Sequence, residues 1–232
     1  MLKRVILSLV VISVVLAALG VAAWRQLEHY LDRPIAGLDT PVDVQVAPGS
    51  SVTRVIHQLS KQGLLQYPDL LVIYLRLTQQ TRVQAGEYAI GAGVTPRELL
   101  AQLAEGDVKH YQVTLLEGWT LQQALAHLQA QDSLVHELDA AGLAGLLASL
   151  GIADGRGAAE GLFFPDTYRY VRGMSDRDLL GTAYEKMQQT LAAEWPKRVA
   201  DLPLASPYEA LVLASIVEKE TAVDSEREQI AG

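Results

Sequence analysis

The amino-acid sequence predicts an α+β fold that follows a single N-terminal transmembrane helix. Residues 5–24 contain no charged side chain, and a helix of 20 residues spans about 30 Å, the thickness of the hydrocarbon layer of a bilayer. Residues 42–90 have the pattern strand, helix, helix, strand, whereas the chain after residue 108 has mostly helical patterns. We therefore expect an α+β region near the membrane and a more helical region after it.

The residues at the two ends of the apolar stretch predict its orientation and whether it is retained. Lys3 and Arg4 precede it, so the positive-inside rule places the N-terminus in the cytoplasm and the bulk of the chain in the periplasm. A cleavable signal peptide is the alternative, because Ala22 and Ala23 are small enough for a cleavage site. Trp24 is typical of a membrane interface and favours a retained single-pass span in the inner membrane.

Breaks in these patterns divide the chain into four segments. Residues 1–24 form the cytoplasmic N-terminus and the transmembrane helix. Residues 25–41 form a polar periplasmic linker, which ends where alternating valines begin a strand. Residues 42–107 form a first folded domain, and residues 108–232 form a second, mostly helical one.

A weak internal repeat relates the two domains at an offset of 69 residues. In each copy a glycine turn follows a strand and leads to a capped helix with two apolar positions on one side. The matching residues are Gly49, Ser51, Ile56 and Leu59 in the first copy and Gly118, Thr120, Leu125 and Leu128 in the second. Thr95 and Glu98 predict a further capping box between the copies.

Composition argues against several classes of function. The chain carries 27 acidic and 19 basic residues, a net charge of −8, without a cluster of bases, so nucleic acid is not an expected partner. Cysteine is absent, which removes thiolate catalysis and disulfides. The five histidines form no HExxH-type motif, and no phosphate-binding or dinucleotide-binding glycine motif occurs. Neither a metal site nor a cofactor is expected, and carboxylates and hydroxyls remain as the candidate chemistry.

The helix predicted to begin at Ser206 carries the strongest catalytic candidate. Pro207 and Glu209 give it a capping-box start, and an almost wholly apolar sequence then runs to Glu218. Burial among apolar side chains raises the pKa of a carboxyl group, which prepares it to act as a general acid near neutral pH. Ser215 lies one turn earlier and either hydrogen-bonds this carboxyl group or packs beside it. The alternative is that Glu218 belongs to a solvated last turn.

The segment EGLFFPDTYRY, residues 160–170, supplies further candidates. It combines both phenylalanines of the chain with two tyrosines and two carboxylates. On an irregular segment such a mixture can form the wall of a sugar-binding cleft, where rings stack on sugar faces and acids accept hydrogen bonds from hydroxyls. Glu160, Asp166 and Tyr168 are the predicted substrate contacts. The alternative is that the phenylalanines fill a helix interface and Asp166 forms a turn.

Four motifs in order carry a family resemblance: AGEYAI at 85–90, TLLEGWT at 114–120, EGLFFPDTY at 160–168 and LASIVEKET at 213–221. Together with the N-terminal span, they make the chain resemble the YceG-like family of endolytic murein transglycosylases. The resemblance implies that residues 42–107 form a LysM-like peptidoglycan-binding domain and that Glu218 is catalytic. Family members continue past the position of Gly232, so the catalytic domain is expected to be incomplete here.

The resemblance also implies a reaction. It is the non-hydrolytic cleavage of the bond between N-acetylmuramic acid and N-acetylglucosamine in nascent peptidoglycan strands, which leaves 1,6-anhydro ends and terminates strand elongation. The membrane anchor implies peptidoglycan synthases as partners. Two alternatives stay open: a muramidase-type hydrolase, if Glu160, Asp166 or Tyr168 marks a second catalytic group, and a membrane-anchored scaffold that binds peptidoglycan without cleaving it.

Overall fold

A computed structural model describes residues 2–152, 159–199 and 202–220. The chain divides into two units, Met1–Lys109 and His110–Gly232, and each has its own hydrophobic core. In the described residues each unit contains one pair of antiparallel strands, and most of the remaining elements are helices. The structure is therefore a mixed α+β fold with an apolar helix at its N-terminus.

The N-terminal helix, α1 (Leu2–Leu31), is longer than the predicted span. Its portion Ile6–Leu31 is long and apolar enough to cross a membrane, and none of its most apolar window is buried. The helix continues beyond Trp24 through residues that the sequence assigned to a linker. Ile35 and Leu38, which follow it, are buried in the core of the first unit. The predicted linker is thus partly helical and partly packed into that unit, because its apolar residues recur at helical spacing and continue into the core.

The first unit has the order strand, helix, helix, strand that the sequence predicts. Its elements after α1 are β1 (Val42–Val46), α2 (Val52–Lys61), α3 (Pro68–Leu77), β2 (Gly86–Ile90) and α4 (Pro96–Glu105). β1 and β2 pair antiparallel, with Val42 opposite Ile90. The predicted capping box of Thr95 and Glu98 is present at the start of α4.

Alternation along β1 determines which side of the strand pair is covered. Val44 and Val46 are buried, and Gln45 between them is exposed. Gly86 begins β2 in a continuous register, and a Cβ at this position would stand 2.4 Å from Cγ1 of Val108. The absence of a side chain at Gly86 therefore allows β2 to approach the segment that contains Val108. The core contains, among others, Val55, Ile56, Leu59, Leu71, Leu75, Tyr88, Ile90, Leu99 and Leu103.

The second unit repeats this order and adds two helices. Its elements are β3 (His110–Thr114), α5 (Leu121–Gln129), α6 (Ala140–Ser149), β4 (Thr167–Val171), α7 (Asp176–Glu194) and α8 (Pro207–Glu220). β3 and β4 pair antiparallel, with His110 opposite Val171. A short 3₁₀ turn, Trp195–Lys197, follows α7. The strand-helix-helix-strand order therefore occurs once in each unit.

The structure confirms the internal repeat at its turns and caps. Gly49 and Gly118 both have a φ of 72°, in the left-handed region that favours glycine. Ser51 and Thr120 are both N-cap residues, and each side chain accepts a hydrogen bond from the backbone amide three residues later. Equivalent turns thus connect β1 to α2 and β3 to α5.

Candidate functional site

A cavity of about 300 Å³ lies between α8 and two turns of the second unit. One turn, residues 118–120, precedes α5, and the other contains Glu160 and Gly161. α8 contributes side chains from one face, spaced by three or four residues. The lining residues are Gly118, Trp119, Thr120, Glu160, Gly161, Tyr208, Leu211, Val212, Ser215, Glu218 and Lys219.

The start of α8 is held by hydrogen bonds close to those that the sequence predicts. Pro207 occupies the first position, and the Ser206 hydroxyl accepts a hydrogen bond from the Glu209 amide at 3.3 Å. The Glu209 carboxylate accepts from the amide of Ala205 at 2.7 Å, one residue before the position that a capping box requires. From this start the helix runs unbroken to Glu220 and brings Glu218 to the cavity.

The apolar enclosure predicted for Glu218 is only partly present in the described chain. Val217 is the buried residue of α8, and Glu218 is half-buried. Val212 and Ile216 are 41% and 49% exposed. The helix packs on the rest of its unit through one side, so its other apolar positions are open to solvent. Within the described residues, Glu218 is therefore less enclosed by apolar side chains than the sequence analysis expects.

A hydrogen bond from Lys219 joins the end of α8 to the turn before α5. The Lys219 Nζ donates a hydrogen bond to the carbonyl oxygen of Gly118 at 2.6 Å. A Cβ added at Gly118 would stand 3.7 Å from Cγ of Glu218 and 3.8 Å from the Lys219 nitrogen. The turn and the helix end are thus in close contact at the side chain of Glu218, which fixes one wall of the cavity.

Glu160 and Ser215 are predicted site residues that also reach the cavity. The Glu160 carboxylate accepts a hydrogen bond from the amide of Leu121 at 2.8 Å, at the N-terminus of α5. The Ser215 hydroxyl donates to the carbonyl of Val212 at 2.7 Å, within its own helix. The structure therefore brings together three of the five predicted residues: two carboxylates and one hydroxyl line the same cavity.

Asp166, another predicted site residue, lies outside this cavity. Its carboxylate forms an ion pair with Lys186 of α7 and accepts a hydrogen bond from the Thr167 amide at 2.6 Å. The hydrogen bond from Lys186 is the largest cause that lowers the pKa of Asp166, followed by the Thr167 amide. Asp166 does not line the cavity. Its contacts join the start of β4 to α7, so its position agrees with a structural role.

Tyr168 is also away from the cavity, and its predicted role as a substrate contact is not supported by its position. The residue lies in β4, where alternation turns Tyr168 and Tyr170 into the core. Tyr168 is 7% exposed, and its hydroxyl donates to the carbonyl of Phe164 at 2.5 Å. Burial raises the pKa of this hydroxyl to about 12. The difference has a physical reason: the sequence analysis places these residues on an irregular segment, whereas the alternation in TYRYV is that of a strand.

Aromatic residues that the sequence reasoning missed complete the cavity wall. Trp119 stands between the glycine turn and the cap of α5, and its ring packs edge-on against His127 at 5.1 Å between centroids. Tyr208 is 53% exposed in the first turn of α8. A sequence signal for Tyr208 exists, because it precedes Leu211 and Ser215 by three and seven residues on one helix face. A smaller neighbouring cavity shares Trp119 and is also lined by Phe163.

The donor set of the cavity fits a polar organic ligand. Carboxylates and a hydroxyl accept or donate hydrogen bonds, and exposed rings can pack on the faces of sugar rings. Within the described ranges, no group of three or more histidine, aspartate or glutamate side chains converges on a point that could hold a metal ion. The carboxyl groups of Glu160 and Glu218 in this wall can supply acid-base chemistry.

A family model and two curated proteins match this chain. A family model described as the YceG-like family matches residues 44–232. Two curated proteins named endolytic murein transglycosylase, from Streptococcus pneumoniae serotype 2 strain D39 and from strain R6, are each 26% identical to this chain over 257 residues. Each alignment covers 99% of this chain and 46% of the relative, so the chain spans about half the length of these curated relatives.

A solved structure is also similar to this chain. It is the crystal structure of a YceG-like protein from Listeria monocytogenes, with 18% sequence identity. The match covers 81% of this chain and 66% of the other chain, with a TM-score of 0.39.

Proposed function

Because the family model covers most of its length, this chain belongs to the YceG-like family, and we propose that it is a lytic transglycosylase that acts on peptidoglycan glycan strands. The observation that carries the proposal is the position of Glu218. A carboxyl group at the end of α8 lies on a cavity that also presents rings and hydrogen-bonding groups. The names of the two curated relatives support the same substrate class.

In the proposed mechanism Glu218 is both acid and base. Its carboxyl group donates a proton to the glycosidic oxygen between N-acetylmuramic acid and N-acetylglucosamine while the bond from that oxygen to the muramyl C1 breaks. Positive charge develops on the muramyl ring as in an oxocarbenium ion. The Glu218 carboxylate then accepts the proton of the 6-hydroxyl of the same sugar as that oxygen bonds to C1. The products are a 1,6-anhydro end and a free N-acetylglucosamine hydroxyl, and Glu218 has regained its proton.

A single catalytic carboxyl group is sufficient for this sequence of steps. The nucleophile belongs to the substrate, so no bound water has to be activated by a second carboxylate. General acid catalysis by one positioned group is worth roughly 10² to 10⁴ in rate. Removal of the Glu218 carboxyl group should therefore reduce cleavage by at least about that factor, to a level that a fragment-release assay does not detect.

The test compares two glutamates two residues apart on α8. In the full-length protein, Glu218→Gln should keep the fold by circular dichroism and release no soluble fragments from purified sacculi. Glu220→Gln is the matched control and should cleave normally, because Glu220 is exposed and does not line the cavity. Continued turnover by Glu218→Gln would exclude Glu218 as the acid. Sacculus binding without release of fragments by the unchanged protein would instead support the non-catalytic scaffold.

One observation favours a second candidate, a muramidase-type hydrolase. Glu160 lies on the same cavity as Glu218, and hydrolases of this type use two carboxyl groups. If the Glu160 carboxylate activated a water, Glu160→Gln would abolish cleavage as completely as Glu218→Gln. In the proposed lyase, the amide oxygen of Glu160→Gln can still accept the hydrogen bond from the Leu121 amide, so most of the activity should remain.

The same proposal includes a location. We place α1 across the inner membrane, with the N-terminus in the cytoplasm and the rest of the chain in the periplasm, near peptidoglycan synthases. The length and composition of Ile6–Leu31 and the two basic residues that precede it support this orientation. The strand-helix-helix-strand order of residues 42–107 supports the assignment of a LysM-like domain that holds the glycan.

A further inference from the structure

Two ring contacts fix how α3 lies beside the end of α1 in the first unit. The rings of Tyr67 and Tyr30 are 5.7 Å apart between centroids, and those of Tyr74 and Trp24 are 5.5 Å apart. The first contact joins the start of α3 to the end of α1, and the second joins a later point of α3 to an earlier point of α1. The two helices therefore run antiparallel along this contact, and α3 advances toward the apolar part of α1.

The depth of α3 along α1 follows from helix geometry. Leu77 lies three residues after Tyr74, which is a further advance of about 4.5 Å at 1.5 Å per residue. Since Tyr74 contacts Trp24, the end of α3 reaches the level of residues that precede Trp24, which belong to the uncharged stretch 5–24. If α1 spans a bilayer with Trp24 at its interface, the end of α3 lies at the surface of that bilayer.

The face of α3 beside this contact is apolar and uncovered. Leu70, Ile73 and Leu77 are 51%, 53% and 69% exposed. Their spacing of three and four residues places them in one strip of the helix, whereas Leu71 and Leu75 are fully buried in the core. A helix with a second apolar strip outside the core has the pattern of a helix at a membrane surface.

The charges near this strip suit phospholipid headgroups. Arg76 on α3 and Arg82 in the segment after it are exposed, and so is Arg25 next to Trp24. No acidic residue occurs in residues 70–86, although the chain as a whole has a net charge of −8. Arginine side chains at this level can reach phosphate groups while the leucines and isoleucine contact acyl chains.

We propose that α3 is a second membrane contact, in which the strip of Leu70, Ile73 and Leu77 inserts into the outer surface of the bilayer that α1 spans. The proposal rests on the membrane anchoring proposed above. A bilayer is the occupant that explains the strip, because α3 contacts Trp24 through Tyr74 and its last residues advance from there toward the apolar part of α1. With two points of contact, the first unit is held against the membrane and does not swing freely on α1.

The absence of cysteine from the chain makes site-specific labelling direct. Single cysteines at Leu70, Ile73 and Leu77 would carry a nitroxide spin label in the full chain, reconstituted into vesicles of phosphatidylglycerol and phosphatidylcholine. Collision with oxygen, which concentrates in lipid, is compared with collision with a water-soluble nickel chelate. Leu16→Cys, eight residues before Trp24 on α1, reports on the span itself. Ala92→Cys is the aqueous control, because it is exposed near Val94, whose carbonyl accepts from the Ile35 amide beyond the span.

The expected result is a gradient of depth. Labels at all three α3 positions should collide more with oxygen than the Ala92 label does, and immersion should increase from Leu70 to Leu77 toward the value at Leu16. If the α3 labels collide with the nickel chelate as the Ala92 label does while the Leu16 label is in lipid, the inserted strip is excluded and the anchor stands. If both reagents fail to reach the α3 labels, a protein surface covers the strip and the proposal is overturned. A water-exposed Leu16 label would overturn the anchoring and this contact together.

Discussion

Lys219 and Gly118 determine where the proposed catalytic residue lies. The hydrogen bond between them holds the end of α8 on the turn before α5, and Glu218 is the residue directly before Lys219. A half-buried carboxyl group at a fixed wall can be directed at one bond of a bound glycan. The position of Glu218 depends on a hydrogen bond to the main-chain carbonyl of Gly118. The sequence motifs alone do not predict that contact.

Tyr168 should behave as a core residue. Tyr168→Phe removes the hydrogen bond from its buried hydroxyl to the Phe164 carbonyl, so we expect the free energy of unfolding to fall by about 1 kcal/mol. Peptidoglycan cleavage should not change at a temperature well below the melting point. Urea denaturation measures the first quantity and fragment release the second. Tyr184→Phe is the control, because its hydroxyl is 3.5 Å from the Leu150 carbonyl and should contribute less. Lost cleavage with unchanged stability in Tyr168→Phe would restore Tyr168 as a substrate contact.

The ion pair of Asp166 and Lys186 should make stability depend on pH. The pKa of Asp166 is lower in the folded chain than its ordinary value of about 4, so the folded state gains stability above pH 4 and loses it as pH falls through the folded pKa. Lys186→Met should therefore lower the melting temperature more at pH 7 than at pH 3. Lys197→Met is the control, since Lys197 and Glu194 form an exposed pair three residues apart. An equal loss at both pH values would show that the charge of Asp166 is not involved.

At the scale of elements, the glycine turns of the two units offer a matched pair of substitutions. Gly49→Ala and Gly118→Ala both force a side chain into the left-handed region, which costs about 1 kcal/mol in each case. A Cβ at Gly118 would lie in ordinary van der Waals contact with Glu218 and Lys219, and a turn that shifts to relieve its strain would move the carbonyl that Lys219 binds, whereas nothing lies within 4 Å of a Cβ at Gly49. We expect similar losses of stability by urea denaturation but reduced cleavage for Gly118→Ala alone. An equal loss of cleavage in Gly49→Ala would show that strain, and not contact with α8, is responsible.

Elements with strong local signals could be predicted from the sequence. The capping box at Thr95 and the helix cap at Thr120 satisfy backbone amides by contacts three residues apart, so they leave a local pattern, and the structure confirms both. β4 was missed because five residues of alternation follow an aromatic and proline-containing segment. An irregular segment would allow Tyr168 to face a cleft, whereas strand alternation turns it into the core.

The part of the candidate site that lies on one helix could be predicted from local spacing, and the part that comes from distant turns could not. Glu218 and Ser215 share a helix face with Leu211, so helical spacing alone brings them to one side. Glu160 and Trp119 come from turns far along the chain, and only the packing of the second unit shows that they meet α8. The burial of Glu218 could not be predicted from apolar neighbours in sequence, because burial depends on which surface covers them.

At the scale of the whole molecule, the proposed function assigns a different role to each unit. The first unit continues from the membrane helix and would hold glycan near the bilayer, while the second carries the cavity with Glu218. The chain spans about half the length of its curated relatives, so activity is best assayed on the full-length protein. The central claim about that protein is that it breaks a glycosidic bond without water.

The most direct test is digestion of purified peptidoglycan in water enriched in oxygen-18, followed by mass spectrometry of the new glycan ends. A lyase joins the 6-hydroxyl of the muramyl residue to its own C1, so we expect 1,6-anhydro ends that contain no oxygen from the solvent. Glu218→Gln should produce no such ends, whereas Glu220→Gln should produce them normally. Reducing muramyl ends that carry oxygen-18 would contradict the account and identify the enzyme as a hydrolase.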